Sequence, residues 1–104
     1  NNDNNEAIKL FNEMKKHKNI KPNEITYSLI LKAINNLEIL KEIHNEIKNN
    51  NYENNIIIQT SLINAYSNCG DIKTARLLFD NINHKDIITW NSIIKGYIEN
   101  NNEN

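Results

Sequence analysis

Apolar residues recur along the chain at the spacing of amphipathic helices. The positions i, i+3, i+4 and i+7 are apolar in two early segments: Ala7, Leu10, Phe11 and Met14, and then Tyr27, Ile30, Leu31 and Ile34. Similar stripes follow at Leu40, Ile43 and Ile47, at Ile58, Leu62, Ala65 and Tyr66, and at Ala75, Leu78, Phe79 and Ile82. A sixth helix is predicted from about Ile87 to Ile98. Leu29 and Ala33 make the second helix apolar on two sides, so we expect it to lie between neighbouring helices.

Residues with special backbone preferences mark the boundaries of these helices. Pro22 precedes the second helix, Gly70 suits a left-handed C-terminal cap, and Asp71 and Asp86 suit N-caps. Glycine and proline together make up only 3 of 104 residues, which argues against a β protein rich in turns. The prediction is an all-α chain.

The helices are copies of one another. The segments ITYSLILKAI (25–34), IIQTSLINAY (57–66) and IITWNSIIKGY (87–97) share an apolar start, a polar cluster and paired aliphatic residues. Ser28 and Thr60 are 32 residues apart, and Thr60 and Asn91 are 31 apart. The intervening segments AIKLFNEM (7–14) and ARLLFDNI (75–82) also match, and LKEIHNEI (40–47) is a divergent copy. Two helices per unit of this length predict an α-solenoid of stacked antiparallel helix-turn-helix repeats, a right-handed superhelix with one concave helix face.

Charge and hydropathy narrow the classes of partner. Twelve basic and thirteen acidic residues give a net charge of −1, so any nucleic acid must be held by local patches rather than by a bulk positive field. The longest apolar run has three residues, far below the roughly 20 that a membrane helix requires. We therefore expect no membrane partner. The one cysteine, Cys69, also excludes an internal disulfide framework.

The residue types of catalytic and metal sites do not form recognisable constellations. His17, His44 and His84 are 27 and 40 residues apart, unlike the short spacing of metal ligands, and His44 is expected to pack in a helix interface. Ser28 and Ser61 have no recognisable base, and there is no glycine-rich phosphate loop. We predict no catalytic residue, metal, cofactor or small-molecule substrate here. Any catalytic domain of the full protein would lie outside these residues.

Three longer runs carry a resemblance to a known family: PNEITYSLILKAI, TSLINAYSNCGDIKTARLLFDNI and DIITWNSIIKGY. The chain resembles the pentatricopeptide repeat family, whose helical-hairpin arrays bind RNA in mitochondria and chloroplasts. Residues 24–55 resemble the long variant of the repeat, with about three residues missing near 35–37, and residues 56–86 resemble the short variant. This alternation is similar to that of the editing-factor branch of the family.

The terminal segments complete the expected division of the chain. Residues 1–23 are expected to be the second helix and end of a truncated first repeat. Residues 87–104 are expected to be the first helix of a truncated repeat followed by an Asn-rich end. Because the chain opens at Asn1 without a methionine, we expect a piece of a longer array.

The resemblance implies sequence-specific binding of single-stranded RNA, with one base per repeat, in organellar RNA editing or other RNA processing. It also implies a location in the mitochondrion or another organelle, and other RNA-processing proteins as candidate partners. Many editing-type relatives carry a cytidine deaminase tail, which requires H-x-E and C-x-x-C elements. An H-x-E string occurs at residues 44–46, but with a single cysteine the sequence has no C-x-x-C element.

Polar pairs recur five residues apart at the start of each first helix: Asn23 with Ser28, Asn55 with Thr60, and Asp86 with Asn91. Hydroxyl, amide and carboxylate groups can hydrogen-bond to the Watson–Crick edge of an unstacked base. By resemblance, these six residues are the base-reading positions, with Ser28/Asn55 and Thr60/Asp86 as complete pairs. The resemblance implies adenine for the first pair, guanine for the second and a pyrimidine for Asn91, read 5′ to 3′ along the chain.

Two further sets of residues accompany the pairs. Ile25, Ile57 and Ile88 stand where related proteins clamp a base between aliphatic side chains, and the alternative is that they belong to the ordinary core. Lys32 and Lys95 lie one turn after Ser28 and Asn91, where they can contact phosphates. The alternative is that these lysines contact only water. The basic run at 15–21 is interpreted as stabilising a helix terminus.

Two other functional classes compete with RNA binding. A protein-binding scaffold of tetratricopeptide-like repeats has a similar period near 34, but the polar pairs and the single proline between units argue against it. The second competitor is a structural spacer whose units contact no nucleic acid, which the net charge of −1 favours.

Overall fold

A computed structural model describes residues 2–101, without the side chain of Asn2. Over this range the chain forms six α-helices and no strand: α1 Asn2–Met14, α2 Glu24–Ala33, α3 Leu37–Asn49, α4 Ile56–Asn68, α5 Ile72–Asp80 and α6 Ile87–Asn101. The predicted all-α class is therefore confirmed. Residue 1 of the first predicted segment and residues 102–104 of the last lie outside the described residues.

Helix α4 lies at the centre of the structure. It packs against α2 and α6, the other two copies of the first helix, and against α5, while α1 packs on α2. The principal extents of 41, 31 and 19 Å describe an elongated, flattened body. Because the copies lie side by side rather than around one closed core, the architecture is the helical-repeat solenoid that the sequence period predicts.

The core follows most of the predicted apolar stripes, but Leu10 and Leu29 are exceptions, at 62% and 61% exposed. The largest fully buried side chains are Tyr27, Leu31, Leu40, Ile47, Ile58, Leu62, Ile63 and Thr89. Burying one large aliphatic or aromatic side chain stabilises the fold by about 1.5–3 kcal/mol. Tyr27 lies between repeats, because its ring contacts Phe11 of α1 edge-on and its hydroxyl donates to Glu46 of α3 at 2.7 Å.

Local backbone chemistry defines the helix ends. Gly70 has a φ of +86°, the left-handed conformation that a helix C-cap favours and that an L side chain rarely adopts. Asp71 then caps α5, accepting from the Thr74 backbone N–H at 3.1 Å and from the Thr74 hydroxyl at 2.7 Å. Both caps are as the sequence predicts. None of the helices in the described range is long and apolar enough to cross a membrane.

Helix α2 is shorter than the aligned helix α4. Helix α2 has 10 residues, whereas α4 has 13. Both copies begin directly after an asparagine N-cap, Asn23 or Asn55, so the difference lies at the C-terminal end of α2. Only residues 34–36 connect α2 to α3. The difference in length leaves the N-terminal half of α2, which carries Ser28, unchanged. That it reflects residues missing from a long-type repeat stays a prediction.

Candidate nucleic-acid interface

A groove of about 250 Å³ runs across the three copies of the first helix. Helix α2 contributes Ser28 and Lys32, α4 contributes Ile56, Ile57, Thr60 and Ser61, and the start of α6 contributes Asp86 and Ile88. Six of these residues are sequence candidates: Ser28, Lys32, Ile57, Thr60, Asp86 and Ile88. The groove thus brings together candidates that are up to 60 residues apart in the sequence, from Ser28 to Ile88.

The candidate clamp residues are exposed rather than buried. Ile25, Ile57 and Ile88 are 63%, 55% and 61% accessible to solvent. Their alternative interpretation as ordinary core is therefore wrong for this chain. Ile57 and Ile88 lie in the groove, whereas Ile25 lines a separate apolar groove with Leu10 and Leu29. Exposed isoleucines beside polar groups offer the apolar surface on which a base can pack.

The predicted hydroxyl groups each contact the next copy of the first helix. Ser28 Oγ lies 3.2 Å from Ser61 Oγ, and Thr60 Oγ1 lies 3.4 Å from Thr89 Oγ1. Ser28 and Thr60 are both partly buried, so they are neither lost in the core nor scattered over separate surfaces. The contact between neighbouring helices holds each hydroxyl at the edge of the groove.

The second member of each predicted pair caps a helix. The Asn23 Oδ1 atom accepts from the backbone N–H groups of Ile25 and Thr26, both at 3.0 Å. The Asn55 Oδ1 atom accepts from Ile57 N–H at 2.9 Å and from Ile58 N–H at 3.2 Å. Because the amide oxygens are used by the caps, the amide nitrogens remain as donors toward a ligand.

Asp86 caps α6 with a charged group. Its Oδ1 accepts from the backbone N–H and the hydroxyl of Thr89, both at 2.8 Å. The backbone hydrogen bond from Thr89, followed by the hydroxyl bond, lowers the pKa of Asp86 below its ordinary value. At neutral pH the side chain is therefore an exposed carboxylate that can only accept hydrogen bonds.

Of the remaining candidates, Asn91 and Lys95 lie outside the groove of Ser28 and Thr60. Asn91 is exposed on α6, beyond the last inter-helix contact. Lys95 lies 3.7 Å from Glu99 within the same helix, with its side chain 68% exposed. Lys32, which lines the groove, forms no ion pair among residues 2–101. Of the two candidate phosphate contacts, only Lys32 is thus placed beside the reading positions.

Sequence reasoning missed Ser61 and Thr89, the two hydroxyl residues behind the reading positions. Ser61 directly follows Thr60 and aligns with Ser92 but with Leu29 in the first copy, so this polar position is not shared by all three copies. Thr89 was detectable, because an acid or amide followed three residues later by threonine recurs at Asn23–Thr26, Asp71–Thr74 and Asp86–Thr89. In all three cases the threonine hydroxyl donates to the capping side chain.

The basic run after α1 has a structural role for one of its members. The Lys15 ammonium lies 2.7 Å from Glu46 of α3 and 4.4 Å from the centre of the Phe11 ring. It therefore ties the end of α1 to the next hairpin, in line with the terminus-stabilising interpretation. His44 packs in a helix interface as predicted, with Nδ1 2.7 Å from the Tyr66 hydroxyl, and burial lowers the pKa of this imidazole.

No cluster of three potential metal-binding side chains occurs among residues 2–101. The groove itself offers hydrogen bonding by hydroxyl and carboxylate groups, apolar contact by isoleucines, and one lysine charge. These groups match an unpaired base with its neighbouring phosphate, since a splayed base offers both a polar edge and an apolar face.

Comparison with known proteins gives consistent matches over nearly the whole chain. Residues 42–100 match the model of the pentatricopeptide repeat domain, and residues 1–36 match that of the PPR repeat family. Three similar proteins from Arabidopsis thaliana bear the name pentatricopeptide repeat-containing protein. One is 37% identical over 98 residues, a second, named chloroplastic, is 39% identical over 98, and a third is 40% identical over 95.

These matches cover 91%, 91% and 88% of this chain but only 17%, 11% and 12% of the respective relatives. The chain thus spans less than a fifth of the length of these similar proteins.

Proposed function

Because the chain belongs to the pentatricopeptide repeat family, we propose that it binds single-stranded RNA in the groove formed by α2, α4 and α6, one base per repeat. Proteins of this family generally bind RNA and are generally not catalytic. The observation that carries the proposal is that Ser28, Thr60 and Asp86 line one groove, beside exposed isoleucines.

The proposed base preferences are those that the family resemblance implies, and the donors and acceptors of each pair are compatible with them. Asn55 offers amide N–H donors and Ser28 a hydroxyl that can donate or accept, which suits the adenine edge with its amino group and ring nitrogen acceptor. Asp86 offers only acceptors, which suits the donor-rich edge of guanine. With Asn91 favouring a pyrimidine, the preferred string is A-G-pyrimidine, read 5′ to 3′ along the chain. Asn23 would belong to the base-reading pair of the preceding repeat, and the other member of that pair is not among residues 1–104.

Apolar and ionic contacts complete the proposed site. A base at the Thr60/Asp86 pair would pack between Ile57 and Ile88. Ile25, which is exposed in a separate groove, is the proposed apolar contact for the preceding base. Lys32 is the proposed phosphate contact, with Lys95 as a weaker one because Glu99 lies nearby. Stacking contributes about 1–3 kcal/mol per base, so two complete pairs give weak binding, and tight binding requires more repeats.

The proposed process is RNA editing or other RNA processing in an organelle. The support is the alternation of a long-type unit, 24–55, with a short-type unit, 56–86, which is similar to the editing-factor branch. Two of the similar plant proteins are named chloroplastic, and an organellar location, the mitochondrion included, is part of the proposal for this chain. Its proposed partners are single-stranded RNA and other RNA-processing proteins.

A protein-binding scaffold is the competing function. The family assignment favours the pentatricopeptide over the tetratricopeptide type of repeat, and the polar groove gives RNA the better chemical match. Exposed isoleucines beside hydrogen-bonded hydroxyl groups are not expected in a spacer that contacts no nucleic acid.

The decisive experiment compares short RNAs that differ at one base. The chain is titrated with a labelled octamer carrying A-G-C at its centre and with an octamer in which the guanine is adenine. We expect tighter binding of the guanine RNA. In the Asp86→Asn variant, which keeps a good N-cap but adds a donor, the preference should move toward adenine.

Asp71→Asn provides the matched control, because Asp71 caps α5 in the same way but does not line the groove. This variant should keep the guanine preference. Equal binding of both RNAs by the unchanged chain, or the same preference in Asp86→Asn, would contradict base reading by this pair.

A further inference from the structure

Thr89 connects the two members of the Thr60/Asp86 pair. Its Oγ1 atom lies 2.8 Å from Asp86 Oδ1 and 3.4 Å from Thr60 Oγ1. Thr89 itself is 0% exposed, whereas Thr60 and Asp86 both line the groove. One buried hydroxyl therefore contacts both reading residues without reaching the surface on which a ligand would bind.

The charge of Asp86 determines the direction of these hydrogen bonds. A carboxylate can only accept, so the single Thr89 hydroxyl proton points to Asp86. Toward Thr60 the Thr89 oxygen is then left only as an acceptor, and the Thr60 hydroxyl must donate. The 3.4 Å separation is longer than that of a strong hydroxyl bond, so it biases the orientation of the Thr60 hydroxyl without locking it.

The preceding repeat lacks this arrangement. The residue aligned with Thr89 there is Ile58, which has no hydroxyl, and its capping residue is the neutral Asn55. Ser28 instead contacts Ser61, where either hydroxyl can be the donor. The oriented hydroxyl is therefore specific to the Thr60/Asp86 pair.

We propose that Thr89 is a positioning residue for base recognition, turning the Thr60 hydroxyl proton away from the groove so that Thr60 and Asp86 both present acceptors to a base. This inference rests on the proposed function, since it concerns the same groove. It assigns a specificity role to a buried residue that contacts no ligand itself.

Two neighbouring acceptors select for a base edge with two neighbouring donors. On its Watson–Crick edge guanine presents a ring N–H beside an exocyclic amino group, whereas adenine and cytosine each pair one amino donor with an acceptor, and uracil has a single N–H. Inosine has the ring N–H of guanine but lacks the amino group. The difference between guanine and inosine therefore reports on the second acceptor.

The test measures the ratio of the dissociation constants for inosine and guanine RNAs at the central position of the octamer. The unchanged chain should favour guanine by about 3- to 10-fold, the effect expected for one hydrogen bond. Thr89→Val keeps the side-chain shape and the capping backbone N–H but removes the hydroxyl. This variant should bring the ratio close to one, and Thr89→Ser should restore it.

Thr26→Val is the matched control, because Thr26 makes the same hydroxyl bond to its own cap, Asn23, at 3.1 Å, away from the Thr60 pair. It should keep the ratio of the unchanged chain. The circular dichroism of each variant reports whether it remains folded, and Thr89→Ser tests the hydroxyl even if the valine variant unfolds.

The possible outcomes separate the two proposals. If the unchanged chain binds neither RNA, the proposed function fails. If the chain binds guanine RNA but does not discriminate against inosine, or if Thr89→Val keeps the discrimination, RNA binding stands and the role of Thr89 is overturned.

Discussion

Aligned residues of α2 and α6 occupy the same repeat positions but have different surroundings. Tyr27 and Leu31 on α2 and its C-cap residue Ile34 are 0%, 2% and 4% exposed. The aligned residues 63 positions later on α6, Trp90, Ile94 and Tyr97, are 48%, 53% and 43% exposed. The apolar pattern is the same, and only the neighbouring helix differs. Burial in this fold therefore belongs to the contact between repeats, and stability is a sum of repeat and nearest-neighbour terms.

The same comparison applies to the reading positions. Ser28 and Thr60 each contact a hydroxyl of the following first helix, whereas the aligned Asn91 is exposed and has no such helix among the described residues. Under the proposed function, a complete base site would therefore need side chains from two successive repeats. Packing and recognition depend on the same neighbour.

The largest expected contrast is between two isoleucines at the same repeat position. Ile63→Ala removes a side chain that is 0% exposed between α4 and α6, and should lower the free energy of unfolding by about 2–5 kcal/mol. Ile94→Ala, 31 residues later and 53% exposed, should change it by less than about 0.5 kcal/mol. Urea denaturation of both variants checks this. Equal losses would contradict this prediction, because they would mean that the surface of α6 that carries Ile94 is also buried in solution.

A smaller contrast is expected between two tyrosine hydroxyls. The Tyr66 hydroxyl lies 2.7 Å from His44 in a buried interface, whereas the aligned Tyr97 hydroxyl accepts from Arg76 at 3.2 Å on the surface. Tyr66→Phe should lower the free energy of unfolding by about 0.5–1.5 kcal/mol. Tyr97→Phe should have little effect, because water replaces the lost partner. Thermal unfolding of the two variants measures the difference, and a greater loss for Tyr97→Phe would refute it.

Lysines at aligned positions should differ in their effect on RNA binding. Lys32 lines the groove, while Lys95 lies on the exposed face near Glu99. Each phosphate contact on single-stranded nucleic acid contributes about 0.7 to the slope of log K against log salt. Lys32→Gln should reduce the slope by about that amount, and Lys95→Gln by less. The check is titration at several salt concentrations; identical slopes for both variants would remove Lys32 from the interface.

The smallest expected effect is a pH dependence of the free energy of unfolding, through His44 in its interface with Tyr66. Burial, followed by repulsion from Lys48, lowers the pKa of His44 below its ordinary value of 6.5, and Glu53 opposes the shift. The unfolded chain therefore binds a proton more readily, and stability should fall as pH drops below about 6.5. Denaturation of the unchanged chain and of His44→Gln between pH 7.5 and 5 tests this. A steeper loss in the His44→Gln variant would contradict the assignment.

The apolar period and the caps were sufficient to predict the six helices and the side-by-side repeats, because both depend on local sequence. The orientation of Ile25, Ile57 and Ile88 was not predictable, since an isoleucine at a helix start suits either core or surface. The hydrogen bond of Thr89 to Asp86 was detectable from the recurring spacing, but its contact with Thr60 was not, because that contact requires the preceding repeat to lie beside it.

The most direct test of the central claim is to map the RNA contacts on the unchanged chain by amide chemical shifts during titration with the A-G-C octamer. The account predicts the largest changes at residues 28, 57, 60–61 and 86–89, along α2, α4 and the start of α6. Changes confined to the basic run at 15–21, or the absence of any saturable change, would contradict it.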